Sequence, residues 1–451
     1  MDNLPSEIIR NIVLSLIVKT RWFPQINEHC PVTSLARYAA ISRQWQPIVE
    51  SITFRHLILN STRLDVAHRE NYLSPLRLSY IRYIWYDFEF PAHNLIISTN
   101  PEEDYDDQLV FNKSAKQLFS VLLQIPPRPE PVVGLEIFIT PPKKFALRLL
   151  RNETKRSVER FQVLCGTVTP MFVELFKDWE ADIGDIPAIH YFRVEPGSAS
   201  ILFSPSSINR FASKMTQLSK LEWWLTDEEF IEPSNESSQR TMFAQTLGMI
   251  PLSVRSFILS YTRLPPRGST DRPNSLVPPS IQEDPLGLSF YSFTQRQALE
   301  DFYLIARIDT TILLPAQPNP DALWPSLRSY NLELKEHLPS GECIAQFTLG
   351  GSGTYIYDQN IMNRFAIAAG TCAARMPKIE ELNIINHGRS QSGICFNTKS
   401  EDLPCLEFAG KPGMPELSEE TLEVWKRAIK THGLDWNVHI TDDLDKVYHF
   451  Y

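Results

Sequence analysis

The chain has 451 residues, of which 43% are hydrophobic and 22% are charged, and a formal net charge of −9. This length supports a large buried core and suggests two or three domains, or one long repetitive domain. The weakly acidic balance excludes a general electrostatic attraction to nucleic acid or to an anionic membrane.

The cysteines and the apolar runs narrow the class of protein further. The six cysteines are scattered and form no CxxC pair, so neither a disulfide-stapled secreted scaffold nor a zinc ribbon is expected. No apolar run approaches the roughly 20 residues that a membrane-spanning helix needs. We therefore expect an intracellular protein, cytoplasmic or nuclear, with no membrane and no nucleic acid as partner.

The segment from Leu4 to Leu16 predicts a strongly apolar first helix. Pro5 suits the first helical position, where its missing N–H costs nothing. Glu7 then lies in the first turn, where a negative charge favours the helix dipole. Apolar side chains recur at helical spacing along the segment: Ile8, Ile9, Ile12, Val13 and Leu16.

Two further short helices are predicted before residue 55. The first covers Ser34 to Ile41, with Thr33 or Ser34 as its cap. The second follows Ser42, with Pro47 in its first turn because proline inside a helix costs about 3 kcal/mol. Its apolar positions follow the helical period: Trp45, Ile48, Val49 and Ile52. Residues 1–55 are therefore predicted to form a small three-helix module.

This N-terminal pattern resembles the F-box, in the version common in filamentous-fungal proteins. The resemblance is carried by an LPxEI start, a middle LxxxAxxS segment and an R-x-W before an apolar helix: Leu4, Pro5, Glu7, Ile8, Ile9 and Ile12, then Leu35, Ala39, Ser42, Arg43 and Trp45. The connection from Lys19 to Val32 is longer than is usual for the family. The alternative interpretation is that these helices are the first layer of an ordinary domain.

The resemblance implies a specific partner. F-box helices bind a groove of a Skp-type adaptor, which links them to a cullin–RING ubiquitin ligase, by an apolar helix-in-groove contact. The implied adaptor-binding residues are Leu4, Pro5, Ile8, Ile9, Ile12 and Trp45. Trp45 could either pack the module or line its edge.

After residue 55, helical stretches alternate with Pro-containing turns and short apolar strands. The best-formed unit is a helix over Ile361 to Ala374, followed by a strand that ends at Ile385. Others place strands at 132–139, 221–225 and 254–259, and a further unit covers 324–334. Strands that alternate with helices predict a parallel sheet with right-handed crossovers. These units resemble the strand segment of a leucine-rich repeat, although their spacing is irregular.

The expected fold class is therefore α/β (α+β overall). It comprises a small N-terminal three-helix F-box, then an irregular leucine-rich-repeat-like horseshoe or curved α/β layer with mostly parallel strands. The predicted domains are residues 1–55, a connecting segment with a first strand unit at 56–110, and a substrate-recognition region at 111–451. The alternative is a non-repetitive α/β domain.

The remaining predicted segments of the chain are two insertions and a C-terminal unit. Residues 94–107 are rich in Asp and Glu and predict an acidic surface loop. Residues 265–285 are rich in Pro, Ser and charge and predict a mobile loop. A last helix over Leu417 to Lys430, with Ser418 at its start, and a strand over Trp436 to Ile440 resemble a capping unit.

No sequence pattern predicts catalysis or a cofactor. The glycine-rich stretch at 349–354 lacks the lysine of a phosphate-binding loop, and we interpret it as a tight turn. No HExxH or GxSxG motif occurs. The basic run from Lys143 to Arg160 is typical of a solvated helix face, and an acidic-partner site is the alternative interpretation.

The expected function is a substrate-recognition subunit of a Skp–cullin–F-box ubiquitin ligase, which binds an unidentified protein substrate and is not itself an enzyme. Trp223 and Trp224 are candidate substrate contacts, because adjacent residues of a strand face opposite sides and one of the pair would be more exposed. Trp324 could contribute to a recognition surface or to the core. The alternatives are a protein-interaction scaffold outside any ligase and an enzyme with a cryptic site in the α/β region.

Overall fold

A computed structural model describes most of the chain. The described residues are 4–17, 20–23, 28–31, 35–90, 101–140, 171–195, 201–226, 233–262, 275–277, 281–347, 355–386, 391–399, 404–411 and 416–442. They divide into two compact units. The first comprises Met1–Ser157, Pro170–Leu202 and Phe211–Leu218, and the second comprises Val158–Thr169, Phe203–Arg210 and Ser219–Tyr451.

The first unit begins with short helices and a hairpin and continues into a parallel sheet. Its helices are α1 (Ser6–Ser15), α2 (Ala36–Ala39), α3 (Trp45–Thr53), α4 (Ser61–Arg69), α5 (Pro75–Tyr80) and α6 (Pro101–Leu122). Its strands are β1 (Thr20–Phe23), β2 (Glu28–Pro31), β3 (His56–Asn60), β4 (Tyr83–Glu89), β5 (Val133–Thr140), β6 (Met171–Val173) and β7 (Ile189–Val194). Strands β3, β4, β5 and β7 pair in that order and are all parallel.

The chain then continues into the strands and helices of the second unit. Two elements, β8 (Ile201–Phe203) and α7 (Pro205–Ser213), contain residues of both units. The elements of the second unit then begin with β9 (Lys220–Leu225), α8 (Pro233–Thr246), β10 (Ser256–Tyr261), α9 (Pro285–Thr294), β11 (Asp301–Ala306) and β12 (Ser329–Leu334). They end with β13 (Ala345–Phe347), β14 (Tyr355–Tyr357), α10 (Gln359–Ala373), β15 (Glu381–Asn386), β16 (Gln391–Asn397), β17 (Leu406–Lys411), α11 (Glu419–Thr431) and β18 (Val438–Thr441).

The second unit contains a mostly parallel sheet. Strands β9, β10, β11, β12 and β15 pair in that order and are parallel. Strand β16 is antiparallel to both β15 and β17, and β18 is again parallel to β17. The predicted mixed α/β class with mostly parallel strands is confirmed, and the antiparallel strands were not predicted.

One face of the second unit's sheet is the hydrophobic core. In β10 the buried side chains are those of Phe257, Leu259 and Tyr261, and the side chains between them are only half-buried. Residues at the same register of neighbouring strands stack: Phe257 lies 5.7 Å from Phe302, and Phe302 lies 5.2 Å from Tyr330, between ring centroids. This aromatic ladder joins three consecutive strand–helix units.

The acidic loop predicted at 94–107 needs correction where the structure describes it. Residues 101–107 are the first turns of α6 and not a loop. Pro101 suits a helix start, and acidic residues are favourable there, so the charge that suggested a loop instead stabilises a helix N-terminus. Residues 263–274 and 278–280 of the Pro-rich segment lie outside the described part of the chain. Asp284, at its end, is fully buried.

The Asp284 carboxylate can be buried because both the start of α9 and Arg240 donate hydrogen bonds to it. Its carboxylate accepts hydrogen bonds from the backbone N–H groups of Leu286 and Gly287, which caps α9. It also accepts two hydrogen bonds from Arg240, at 2.9 and 2.6 Å. The Arg240 side chain is 2% exposed, so the pair is a buried, bidentate contact between α8 and the start of α9.

We expect Asp284→Ala to lower the free energy of unfolding by about 3–5 kcal/mol, because it removes the bidentate carboxylate partner of the buried Arg240 guanidinium. The matched control is Glu342→Ala, which removes an ion pair to Arg364 whose side chains are about half exposed. Such pairs contribute about 0–1 kcal/mol. Urea unfolding followed by circular dichroism measures both, and equal losses would contradict a stabilising role for the buried pair.

Candidate functional site

Helices α1, α2 and α3 share a small apolar core of their own. Its buried members are Ile9 and Val13 of α1, Leu35 beside α2, and Trp45 and Val49 of α3. The start of α1 is tied to the start of α3, because the side-chain amide of Gln44 donates a 2.6 Å hydrogen bond to the carbonyl of Leu4. The core therefore fixes where the first turn of α1 lies.

An apolar edge of α1 remains in contact with solvent. Ile8 is 45% exposed, Pro5 is also exposed, and Ile12 is half-buried. The three follow i, i+3, i+7 spacing, so they share one side of the helix. We call Pro5, Ile8 and Ile12 the α1 edge. This is the spacing by which amphipathic helices place anchors in a partner's groove.

The six predicted adaptor-binding residues divide by burial. Leu4, Pro5, Ile8 and Ile12 lie on or beside the α1 edge, and Leu4 is half-buried. Ile9 is 0% exposed and Trp45 is 4% exposed. These two pack the module itself and face no partner in the folded chain, because Ile9 is about 100° around the helix from Ile8. Of the two roles considered for Trp45, the structure supports packing.

A charged contact joins α3 to α5. Arg77 donates a 2.6 Å hydrogen bond to the Glu50 carboxylate, and its guanidinium lies 5.1 Å from the centre of the Phe54 ring. The Glu50 side chain is 9% exposed. The hydrogen bond from Arg77 lowers the pKa of Glu50 below its usual value, against the opposing effect of burial, and a hydrogen bond from Gln46 assists. This pair connects the small helical core to the rest of the first unit.

We expect Arg77→Ala to lower the free energy of unfolding by about 1.5–3 kcal/mol at neutral pH, the range for hydrogen bonds to charged groups. The folded-state pKa of Glu50 is depressed. Its contribution is therefore present above the unfolded value of about 4.3 and is lost as the pH falls through the folded value. Urea unfolding across that range should show the two proteins converging in acid. A difference that does not depend on pH would contradict the assignment to Glu50.

The second unit's sheet has an open face opposite its helices. Along β9, β10 and β11, every second residue is buried and the intervening residues are half-buried or exposed. We use the name open face for this side of the strands of the second unit. Its half-exposed part is formed by Ile258, Tyr303, Ile305 and Glu333. Towards β15 the residues on this side are buried, among them Asn331, Asn383 and Ile385. Parallel sheets are usually covered on both faces, so a half-exposed face is a candidate interaction surface.

The predicted tryptophan contacts fall on opposite faces of β9, as the strand pleat requires. Trp223 is fully buried and packs edge-on against Phe257, with ring centroids 5.6 Å apart. Trp223 is therefore a core residue and does not face a substrate. Trp224 is half-buried on the open face. Trp324 is also in the core, and its indole N–H donates a 2.9 Å hydrogen bond to Thr294.

Hydrogen bonds organise the open face between strands. Asn383 donates a 2.8 Å hydrogen bond to the Asn331 side-chain oxygen on the neighbouring strand. Tyr303 donates a 3.4 Å hydrogen bond to Glu333, and burial is the main reason that the pKa of Tyr303 rises to about 12. The sequence patterns did not single out these residues, because only the strand register brings them together.

A cysteine, an acid and a histidine are neighbours on the open face of the last strands. Cys395, Glu407 and His439 occupy facing positions of β16, β17 and β18, and His439 lies 3.0 Å from the Glu407 carboxylate. Burial and the carboxylates of Glu407 and Glu381 raise the pKa of the Cys395 thiol. The thiol is held protonated, which is the opposite of an activated nucleophile.

Other predicted features either lie outside the described residues or find no counterpart within them. The basic run between Lys143 and Arg160 and the glycine-rich turn at 349–354 belong to the part of the chain that the structure does not describe. Among the described side chains, no group of three His, Cys, Asp or Glu has metal-binding geometry. None of the described helices combines the length and apolarity needed to cross a bilayer.

Comparison with protein families matches the C-terminal part of the chain. Residues 293–447 match the family described as "Family of unknown function (DUF6546)". The match runs from the end of α9 through β18, so it covers the later part of the second unit and excludes α1 to α3. No curated protein matches the chain.

Proposed function

We propose that this chain is a substrate-recognition subunit of a Skp–cullin–F-box type ubiquitin ligase. The observation that carries the proposal is the α1 edge, held toward solvent by a separate three-helix core. It supports the resemblance of residues 4–45 to the F-box, because the motif's leading apolar positions Leu4, Pro5, Ile8 and Ile12 all retain some exposure while Ile9 and Val13 form the core.

Ile8 is the most exposed aliphatic side chain among Leu4, Ile8 and Ile12. A single exposed aliphatic side chain is ordinary on a protein surface. A row of Pro5, Ile8 and Ile12 on one side of a helix is less ordinary. Each aliphatic side chain that a partner buries contributes roughly 1.5–3 kcal/mol to binding. A few such anchors carry most of the affinity in helix-in-groove interfaces. The α1 edge therefore suits the groove of a Skp-type adaptor.

The open face supports the other half of the proposal, the binding of a protein substrate. A parallel sheet with one face half-exposed is typical of repeat proteins, whose strands form an extended binding surface. The in-register ladder of Phe257, Phe302 and Tyr330 is consistent with the leucine-rich-repeat-like interpretation. The chain would then act by holding a substrate near a charged ubiquitin-conjugating enzyme, which raises effective concentration without chemistry of its own.

The test is the affinity of the full chain for a purified Skp-type adaptor. We expect Ile8→Lys to weaken binding about tenfold to a hundredfold, because it replaces an apolar anchor with a charge. The matched control is Leu14→Lys, since Leu14 is also 45% exposed on α1 and lies about 120° around the helix from Ile8. The control should bind as wild type does.

Two results would count against the proposal. Wild-type chain that does not bind the adaptor would refute it directly, and equal losses for Ile8→Lys and Leu14→Lys would refute the assigned surface. Co-purification with a cullin separates the ligase subunit from a scaffold that binds the adaptor alone, because only the former is expected to capture the cullin through the adaptor.

A further inference from the structure

Strand β18 has an open edge in the part of the chain that the structure describes. It pairs with β17 on one side and is the last strand of its sheet on the other. The Leu406 N–H donates to the carbonyl of Asn437, so the backbone groups of Asn437 and His439 face β17. The N–H and C=O groups of Val438 and Ile440 therefore point outward, because the direction alternates along a strand. Such an edge is a template for another strand.

The terminal strand of the first unit, β3, has a protected edge by comparison. The Arg55 carbonyl accepts from Tyr83 of β4, so the Ile58 carbonyl, three residues on, faces away from β4. Arg63 donates a 2.7 Å hydrogen bond to that outward carbonyl. Strand β18 contains neither proline nor lysine and pairs without a bulge. It therefore lacks these common devices against strand pairing.

Two large apolar side chains lie along the edge of β18. Trp436 is 44% exposed and Ile440 is 38% exposed. They alternate with Asn437 and His439 and so share one side of the strand with the half-buried Val438. This is the side of α11, because the Trp436 ring centre lies 5.9 Å from the Lys426 ammonium nitrogen. Among the tryptophans whose side chains the structure describes, Trp436 alone is exposed.

Two copies of this edge are complementary to each other. When two β18 strands pair in antiparallel fashion about a twofold axis at Val438, that residue exchanges two hydrogen bonds with Val438 of the second copy. Trp436 then lies opposite Ile440 of the second copy, and the reverse. The Cβ atoms of such pairs are about 4.5–5.5 Å apart. Each indole therefore covers an isoleucine, and the outward backbone groups gain partners.

Helix α11 is centred close to the level of this axis. Trp425, in the middle of α11, packs against Phe396 and Phe408. Through the strand register these two phenylalanines are level with Val438 and Ile440. The α11 helices of two copies related by the axis would therefore run antiparallel, with their middles at about the same level.

The charges along α11 are self-complementary in that arrangement. Its first turn carries Glu419 and Glu420, and its last turn carries Lys430. Glu419 and Lys430 are both exposed and lie within about 20° of each other around the helix, because eleven residues make almost three turns. The ion pair between Lys426 and Glu423 involves neither. The acidic start of each α11 is thus level with the basic end of the other, which favours this register.

We infer that the partner of this edge is a second copy of the chain, which forms a twofold dimer through β18 and α11. A short strand pair buries less than the roughly 1,200–2,000 Å² of a stable interface, so the dimer dissociates on dilution. The axis is perpendicular to the sheet, and both open faces lie on the same side. A dimer therefore presents two open faces to one ligand, which raises its avidity. The inference does not rest on the proposed function.

Sedimentation velocity of the full chain over a range of concentrations is the test. We expect wild type to pass from monomer to dimer at roughly micromolar concentrations. Ile440→Lys should raise the dimer Kd about tenfold or more, because it loses two symmetric apolar contacts and adds a charge at the edge. The matched control is Leu252→Lys, a change of equal charge at a side chain that is 73% exposed in the turn before β10. It should dimerise as wild type does.

A charge exchange tests the assigned orientation. Glu419→Lys and Lys430→Glu should each raise the dimer Kd about threefold to tenfold, because each converts two symmetric attractions into repulsions between exposed groups. The double variant should recover most of the wild-type affinity. Both changes oppose the dipole of α11, so a loss of helix stability alone would be greatest in the double variant.

Three outcomes would overturn the inference: a wild-type chain that stays monomeric up to roughly 100 μM, equal weakening in Ile440→Lys and Leu252→Lys, or no recovery in the double charge variant. Circular dichroism establishes that each variant is folded. The mass of the chain alone is measured without adaptor, so failure here is distinguishable from failure of the proposed function, which is measured by adaptor binding in Ile8→Lys.

Discussion

The parallel register of β9, β10, β11, β12 and β15 is the constraint on which the rest of the second unit depends. Because side chains alternate along each strand and the register is unshifted, the core residues at one register position of all five strands lie on the helix-covered face: Leu221, Phe257, Phe302, Tyr330 and Leu382. A slip of one residue would move Phe257 to the other face and expose the aromatic ladder. The same register gathers Tyr303, Asn331 and Glu333 on the open face, so core and surface are set by one geometric condition.

The stability of the N-terminal helices depends on a small local core and a few polar contacts. The core around Ile9 and Trp45 is small, and it is reinforced by the Gln44 hydrogen bond and by the Glu50–Arg77 pair. Small cores bury little area per residue, so these polar contacts add to the stability of the helices. A partner that buried Ile8 would add buried apolar area beside this small core.

The sequence predicted what local physics determines and missed what depends on distant residues. The helix over Gln359–Ala373 and the Ser418 cap of α11 follow from apolar period and capping chemistry. The loop prediction for the acidic start of α6 was wrong, because the same charges suit a solvated loop and a helix N-terminus. The placement of Asp284 in a mobile segment was also wrong, because its partner Arg240 is 44 residues away. The open face needed the strand register, which no short pattern encodes.

The mixed chemistry of the open face also indicates how a partner would be recognised. Asn383 already donates to Asn331, and Tyr303 donates to Glu333, so these polar groups have hydrogen-bond partners without a ligand. A ligand therefore gains little from hydrogen bonds that merely replace existing ones. Its advantage would come from the half-buried apolar strip of Ile258, Tyr303 and Ile305. Under the proposed function, a substrate would bind this strip while the adaptor binds the α1 edge.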